Sequence, residues 1–138
     1  MSDAGYSGTE NLEVMKEAVN YNRMLVALVE AHARKGERAL DFGAGVGTFA
    51  LPLQRDGYAV QCVELDDAQR GVLAARGLPV HRTLADIRDA SVDYVYTLNV
   101  LEHIDDDAAA LRDIHRTLRE RGTLLIYVPA FPVLFTSM

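Results

Sequence analysis

Ala39-Leu40-Asp41-Phe42-Gly43-Ala44-Gly45-Val46-Gly47-Thr48-Phe49 reads as a buried strand running into a glycine turn that opens a helix. Ala39, Leu40 and Phe42 suit a strand. The glycines have no Cβ, so the backbone can turn with positive φ and come close to a ligand. Such a turn gathers backbone N–H groups and the positive end of a helix at one spot. That spot favours a nucleotide-like ligand or its carboxylate.

Outward from this turn, short strand patterns alternate with helical ones. Strand 1 covers Arg38 to Phe42, and a helix follows from about Thr48 to Arg55, with Pro52 expected to kink it or to remove a bond. Strand 2 runs Ala59 to Glu64, Asp66 or Asp67 caps the next helix, and Gly77 ends it. A brief strand 3 near Pro79 to His81 leads to a polar loop carrying Asp86, and strand 4 is Val92 to Leu98. Asp105, Asp106 and Asp107 load the start of a further helix, with Leu111, Ile114 and Leu118 on one face. Arg116, Arg119 and Arg121 load its end before Gly122. Strand 5 is Thr123 to Val128, closed by Pro129. This alternation predicts an α/β fold with a parallel sheet covered on both faces.

Before strand 1, Val14, Ala18, Tyr21, Leu25 and Leu28 recur at helical spacing between Asn11, a candidate N-cap, and Gly36, a stop. Residues 11–36 are therefore expected to form a helix that covers the sheet edge or caps the ligand site from outside. Residues 1–10 are expected to be flexible. The chain's 138 residues suffice for one domain with a real core, and its net charge of −6 argues against nucleic acid held by phosphate contacts. Met1 to Gly5 does not read as a signal peptide, and no apolar run approaches the ~20 residues of a membrane span, so the cytoplasm is the expected compartment. The single cysteine, Cys62, lies in an apolar run and reads as a small buried hydrophobe.

In an open parallel sheet, ligands sit beyond the carboxyl ends of the strands, near the point where strand order reverses. Asp41, Glu64, Asp86 and Asn99 all fall at such ends. Glu64, seventeen residues after Gly47, can accept hydrogen bonds from the 2′- and 3′-hydroxyls of a ribose, and Leu65 offers an apolar wall for a flat base. Plainer roles stand beside these. Asp86 can cap a turn, Glu102 can be an exposed helix-cap acid, and His103 can pack under the site. His32, His81 and His115 read as structural or solvated, and the aspartate run as a complement to a helix dipole rather than a metal site.

Asp41-Phe42-Gly43-Ala44-Gly45-Val46-Gly47 resembles the first motif of class I S-adenosylmethionine-dependent methyltransferases. Val63-Glu64-Leu65-Asp66 resembles the family's acidic strand-2 end, Asn99-Val100-Leu101-Glu102-His103-Ile104 its segment after strand 4, and Arg121-Gly122-Thr123-Leu124-Leu125-Ile126 its entry to strand 5. The helix with Glu10-Asn11-Leu12 and Tyr21-Asn22-Arg23 is similar to the cap of small-molecule members. The resemblance implies a Rossmann-like sheet of order 3-2-1-4-5 over residues 37–130. It also implies S-adenosylmethionine as cofactor, S-adenosylhomocysteine as product and a small-molecule acceptor. It assigns Gly43, Ala44 and Gly45 to the methionine half, Asp41 to orienting the loop or the amine, and Glu64 to the ribose. Leu65 and Ile87 would sandwich adenine, Asp86 would approach its amine, and the backbone at Leu98 and Asn99 would hold the amino-acid end. Tyr21 would close over the carboxylate. His103 is the candidate base, since imidazole titrates near neutrality, with Glu102 as a substrate-orienting acid.

Two rival functions remain open. A dinucleotide-dependent oxidoreductase would use the same sheet, but its Gly-x-Gly-x-x-Gly pattern wants glycine where Thr48 follows Gly43-Ala44-Gly45-Val46-Gly47. A cofactor-binding or scaffold piece without independent catalysis is the other, because the resemblance also implies strands 6 and 7, and the chain carries neither. Strand 5 is then expected to be an open edge followed by an apolar tail at residues 131–138, which favours a homodimer.

Overall fold

A computed structural model describes residues 8–129. The elements follow in the order α1 (Gly8–His32), β1 (Arg38–Phe42), α2 (Ala50–Arg55), β2 (Ala59–Val63), α3 (Asp67–Ala75), β3 (Val80–His81), β4 (Val92–Leu98), α4 (Asp107–Thr117) and β5 (Leu118–Tyr127). Single 3₁₀ turns at Leu84–Asp86 and Leu101–His103 lie before and after β4. The five strands form one sheet in the order β3-β2-β1-β4-β5, and every pairing is parallel. This is the Rossmann-like arrangement, with β1 and β4 flanking the point where strand order reverses. No helix among the described residues is long and apolar enough to cross a membrane.

The sheet is buried on both sides because every β4 residue is buried. Ala39, Cys62, Tyr94 and Tyr96 face a cluster with Leu25 and Val29 of α1, Ala50 and Leu53 of α2, and Leu73 of α3. Leu40, Val63, Val92 and Val95 face the other cluster, closed by Leu84, Ile87 and Ile114. Fully burying side chains of this size contributes about 2 kcal/mol each.

Several sequence expectations need correcting. Asn11 lies inside α1, which begins at Gly8, and the helix ends at His32 rather than at Lys35. Its apolar spacing placed Leu25 and Leu28 correctly but carried the buried stripe too far toward the helix start and missed Val29. Val14 and Tyr21 are exposed, whereas Leu25 and Val29 are fully buried. So α1 is more than an outer cap: its C-terminal half lies on the sheet, where the Tyr94 hydroxyl donates to the Val29 carbonyl at 2.9 Å and satisfies one of the orphan oxygens of the helix end. Pro52 costs no helical bond, because α2 begins only at Ala50 and first-turn N–H groups have no partner within a helix.

The largest departure is at α4. The helix stops at Thr117, and Leu118, Arg119 and Arg121 belong to β5. Between the pairs Val92↔Leu118 and Tyr94↔Thr123 the longer strand bulges, with Arg121 at φ 63°. Asp93 holds this bulge. Its carboxylate accepts from the Arg38 main-chain N–H at 2.7 Å, from Arg38 Nε at 3.4 Å and from Arg119 Nε. Arg119 also reaches Glu37 at 3.5 Å. Burial alone would raise the Asp93 carboxyl, but the hydrogen bonds from Arg38 and Arg119 outweigh it and hold the group below its ordinary value. Asp93→Ala should therefore cost about 2 kcal/mol in urea unfolding at pH 7. The gap from wild type should shrink below about pH 4, where the wild-type carboxylate is itself lost.

At the far edge, β5 pairs only with β4 among the described residues, and Ile126 and Val128 are exposed. The apolar tail at residues 131–138 lies outside the described residues, as does most of the 1–10 segment.

Candidate functional site

A cavity of about 630 Å³ opens beyond the carboxyl ends of β1, β2, β3 and β4. Phe42 and Gly43 line it from the end of β1 and the turn after it, Val63, Glu64 and Leu65 from the end of β2 and the loop after it, and Thr83, Leu84 and Ala85 from the turn after β3. Asn99 and Val100 close it after β4, followed by His103 and Ile104, with Asp106, Ala110 and Asp113 from the start of α4.

Backbone chemistry shapes the glycine turn. Gly43 N–H and Ala44 N–H both donate to the Val63 carbonyl, at 2.9 and 3.1 Å, so the turn leaves β1 still tied to β2. Gly43 has φ 82°, and a Cβ there would stand 2.5 Å from Val100 Cγ2, so only glycine fits. At Gly45, with φ 59°, an added Cβ would meet nothing within 4 Å, which leaves the turn bare toward the site. Thr97 Oγ1 donates to the Phe42 carbonyl at 3.1 Å and locks the end of β1 to β4.

Glu64 bridges two loops. Its carboxylate accepts from Gly45 N–H and from Asp66 N–H, both at 2.9 Å. Arg70 donates to the carbonyls of Glu64 and Leu65 at 3.0 and 2.7 Å, fixing the backbone that carries them. Asp66 caps α3 by accepting from Gln69 N–H at 2.8 Å. The acid is therefore held in one orientation before any ligand arrives, and its remaining lone pairs are free to accept from vicinal hydroxyls.

Two acceptors on the neighbouring strands have no partner. Asp41 is 2% exposed, and its Oδ2 accepts no hydrogen bond. Burial, with a smaller push from the Glu64 charge, raises its carboxyl to about 7, while the nearby Tyr96 hydroxyl works to lower it. That hydroxyl completes no hydrogen bond of normal geometry either. Asn99, at φ 57°, also leaves its buried Oδ1 unpartnered. Its main-chain N–H donates to the Tyr127 carbonyl at 2.8 Å and its Nδ2 to the Tyr21 hydroxyl at 3.2 Å. Orphaned buried acceptors are rare in native proteins and point to a missing donor.

The sequence compares as this geometry leads one to expect. The profile of the methyltransferase domain family matches residues 14–135. The chain belongs to that family. The methyltransferase domain is similar to an uncharacterized 37.1 kDa protein in transposon Tn4556 of Streptomyces fradiae, 33% identical over 134 residues, covering 87% of this chain and 37% of the relative. It is also similar to a Mycolicibacterium smegmatis protein named a probable S-adenosylmethionine-dependent methyltransferase, 31% identical over 125 residues, covering 87% of this chain and 46% of that one. The chain thus spans less than half the length of these curated relatives. Among solved structures, a Pyrococcus horikoshii protein shares the fold with TM-score 0.74 at 20% identity, covering 88% of this chain and 62% of that one.

Within the methyltransferase domain, the sequence-predicted residues divide into four groups. Gly43, Glu64, Leu65, Asn99 and His103 line one cavity, with Gly45 bonded to Glu64 and Asp41 outside the lining, two residues before Gly43. Ala44 and Leu98 are core residues, 6% exposed each, and neither lines the cavity. Tyr21 meets Asn99 and stands edge-on to Tyr127 at 6.3 Å between ring centroids, above the strand ends and outside the cavity lining.

Asp86 and Ile87 are not brought to the cavity. The Asp86 carboxylate turns back to accept from Thr83 N–H at 3.2 Å in a capping box, and Ile87 is 4% exposed in the core cluster facing α4. Thr83, Leu84 and Ala85 stand where those two residues were expected. The signal was present in the sequence: a strand ending at His81 puts its carboxyl-end loop at Arg82, ahead of Asp86. His103 is exposed at the mouth, its Nε2 3.7 Å from Glu102 Oε1, while Glu102 Oε2 is buried without a partner. Among the described residues no group of three or more His, Cys, Asp or Glu could hold a metal ion.

Proposed function

We propose that this chain binds S-adenosylmethionine across the carboxyl ends of β1, β2 and β4 and serves methyl transfer to a small-molecule acceptor by in-line displacement at the sulfonium. The observation that carries it is the Glu64 carboxylate, held by Gly45 N–H and Asp66 N–H beside a glycine turn with open space above it. The residues present fit the cofactor: an aligned acid suits a ribose, Leu65 and Leu84 flank the cavity with apolar surface for a base, and two orphaned acceptors await donors at the methionine end. Membership of the methyltransferase domain family supports the same reading.

When bound, S-adenosylmethionine supplies a methyl group already activated on sulfur. The residues of this chain then have to bind, orient and exclude water. Glu64 takes the sugar hydroxyls, Gly43 and Gly45 let the backbone lie against the methionine half, and the main chain at Leu98 and Asn99 holds its amino-acid end. Tyr21, bonded to Asn99, covers that end. His103 can take a proton from an acceptor, with Glu102 orienting it. A second reading is favoured by coverage of only 37% and 46% of the relatives: these residues hold the cofactor, and the acceptor is completed by residues elsewhere.

Isothermal titration of S-adenosylmethionine into Glu64→Ala and Glu64→Gln should show binding weakened at least about 30-fold, since two hydrogen bonds to a charged acceptor are worth about 2–3 kcal/mol. Wild-type affinity in both variants, or an equal response to NADH, would overturn the reading. The dimer through β5 is proposed with it. Light scattering should give twice the chain mass of 15.2 kDa, and a single-chain mass at every concentration counts against it.

A further inference from the structure

Three polar groups stand in a row beneath the glycine turn. Asp41 is in register with Cys62 on one side and Tyr96 on the other, and all three belong to the face covered by α1 and α2. Asp41 is 2% exposed and the other two are fully buried. The titratable groups that face Asp41 are Tyr96 from β4, Cys62 from β2 and Glu64 just after β2, with Tyr94 beyond Tyr96. The helices on this face contribute Leu25 and Val29 of α1, Ala50 and Leu53 of α2 and Leu73 of α3, all apolar. No cation is among these groups, and neither Asp41 Oδ2 nor the Tyr96 hydroxyl has a hydrogen-bond partner. A carboxylate so placed is desolvated and repelled by Glu64, and the nearby Tyr96 hydroxyl, which completes no hydrogen bond, offsets only part of that. A buried acid in that position takes up a proton unless a positive charge is brought to it.

We propose that Asp41 is protonated in the empty site and releases its proton to solvent when a cationic ligand docks on the glycine turn, so that cofactor uptake and proton release are one event. The inference rests on the S-adenosylmethionine reading, whose ligand carries a sulfonium and an ammonium. The carboxylic acid keeps the empty site free of an unpaired buried charge, and the carboxylate pairs with the arriving cation. The burial that raises the carboxyl to about 7 places this exchange within the neutral range. Below pH 7 the ligand's own α-amine is already charged, so the proton must come from the protein.

The test is calorimetry of S-adenosylmethionine binding to the unmodified chain in phosphate and in Tris, buffers whose ionisation heats differ. The difference should report most of one proton released at pH 6 and about half of one at pH 7, with affinity rising roughly fivefold between those two pH values. Asp41→Asn should bind with equal heats in both buffers and no such pH dependence. Should that variant not fold, carboxyl NMR of the unmodified chain gives the same answer: Asp41 should titrate near neutrality when empty and not between pH 5.5 and 8 when saturated. Binding with equal heats in both buffers, or an Asp41 that is ionised in the empty chain at pH 5.5, overturns the inference while leaving the cofactor reading intact. No binding at all removes the cofactor reading and the inference with it.

Discussion

Gly43→Ala should destabilise the chain by about 3 kcal/mol, enough to remove a large part of the stability of an ordinary domain. Two costs combine. The residue keeps φ 82°, which a side chain tolerates at a penalty of about 1–3 kcal/mol, and its new Cβ would lie 2.5 and 2.9 Å from the two Val100 methyls. Val100 is β-branched and has little freedom to rotate away. Equilibrium unfolding in urea would measure the loss, and Val100→Ala in the same chain should return the steric share but not the backbone share. A Gly43→Ala variant within about 0.5 kcal/mol of wild type would show that the close approach of β1 to the segment after β4 is not what shapes the turn. Gly45→Ala makes the contrast. Its Cβ would meet nothing within 4 Å, so unfolding should register only the backbone cost of φ 59°, about 1 kcal/mol, and the rest of its effect should fall on ligand affinity.

Asp41→Asn should behave in the opposite sense and stabilise the empty protein at pH 8. The folded chain holds the Asp41 proton up to about pH 7, whereas an unfolded chain releases it near pH 4. Between those values the folded state binds more protons than the unfolded one, so stability falls as pH rises, by about 1.4 kcal/mol per pH unit. Above pH 7 the fall is complete and amounts to something on the order of 4 kcal/mol. An asparagine carries no such burden. Its advantage should be full at pH 8, shrink as pH drops through 7, and vanish near pH 4. Thermal melts at pH 4, 6 and 8 would trace it. Equal melting temperatures at pH 8, or an advantage that grows toward acid, would mean Asp41 sits as a stable carboxylate. The same substitution should weaken cofactor binding, so stability and affinity should move in opposite directions.

Strands 1, 2 and 4 were legible because each is a short apolar run bounded by turn residues, and parallel strands buried on both faces leave that mark. The N-cap at Asp66 was legible for a similar reason, since a side chain that bonds an N–H three residues on needs only local sequence. The end of α4 was not. Arg116, Arg119 and Arg121 before Gly122 have the composition of a helix terminus, yet Arg119 is drawn to Asp93 and Arg116 to the carbonyls of Leu84 and Ile87. Those partners are remote in sequence, so no local pattern announces them. Asp86 was legible in its plainer role, since the turn cap read beside the ligand role is formed, and its capping box consumes the carboxylate that the ligand reading needed.

The sequence by itself determined the order of elements, the glycine turn and the acid that answers it from the next strand. Backbone conformation and hydrophobic spacing are written over a few neighbouring residues. Tertiary structure alone decided that Glu64 bonds Gly45, that Val100 fills the space a Gly43 side chain would take, and that Leu25 and Val29 rather than Val14 meet the sheet. It also left Asp41 Oδ2 and Asn99 Oδ1 without partners. These facts depend on which distant groups arrive within a few ångströms of one another, and on which fail to, and only the packed chain sets those distances.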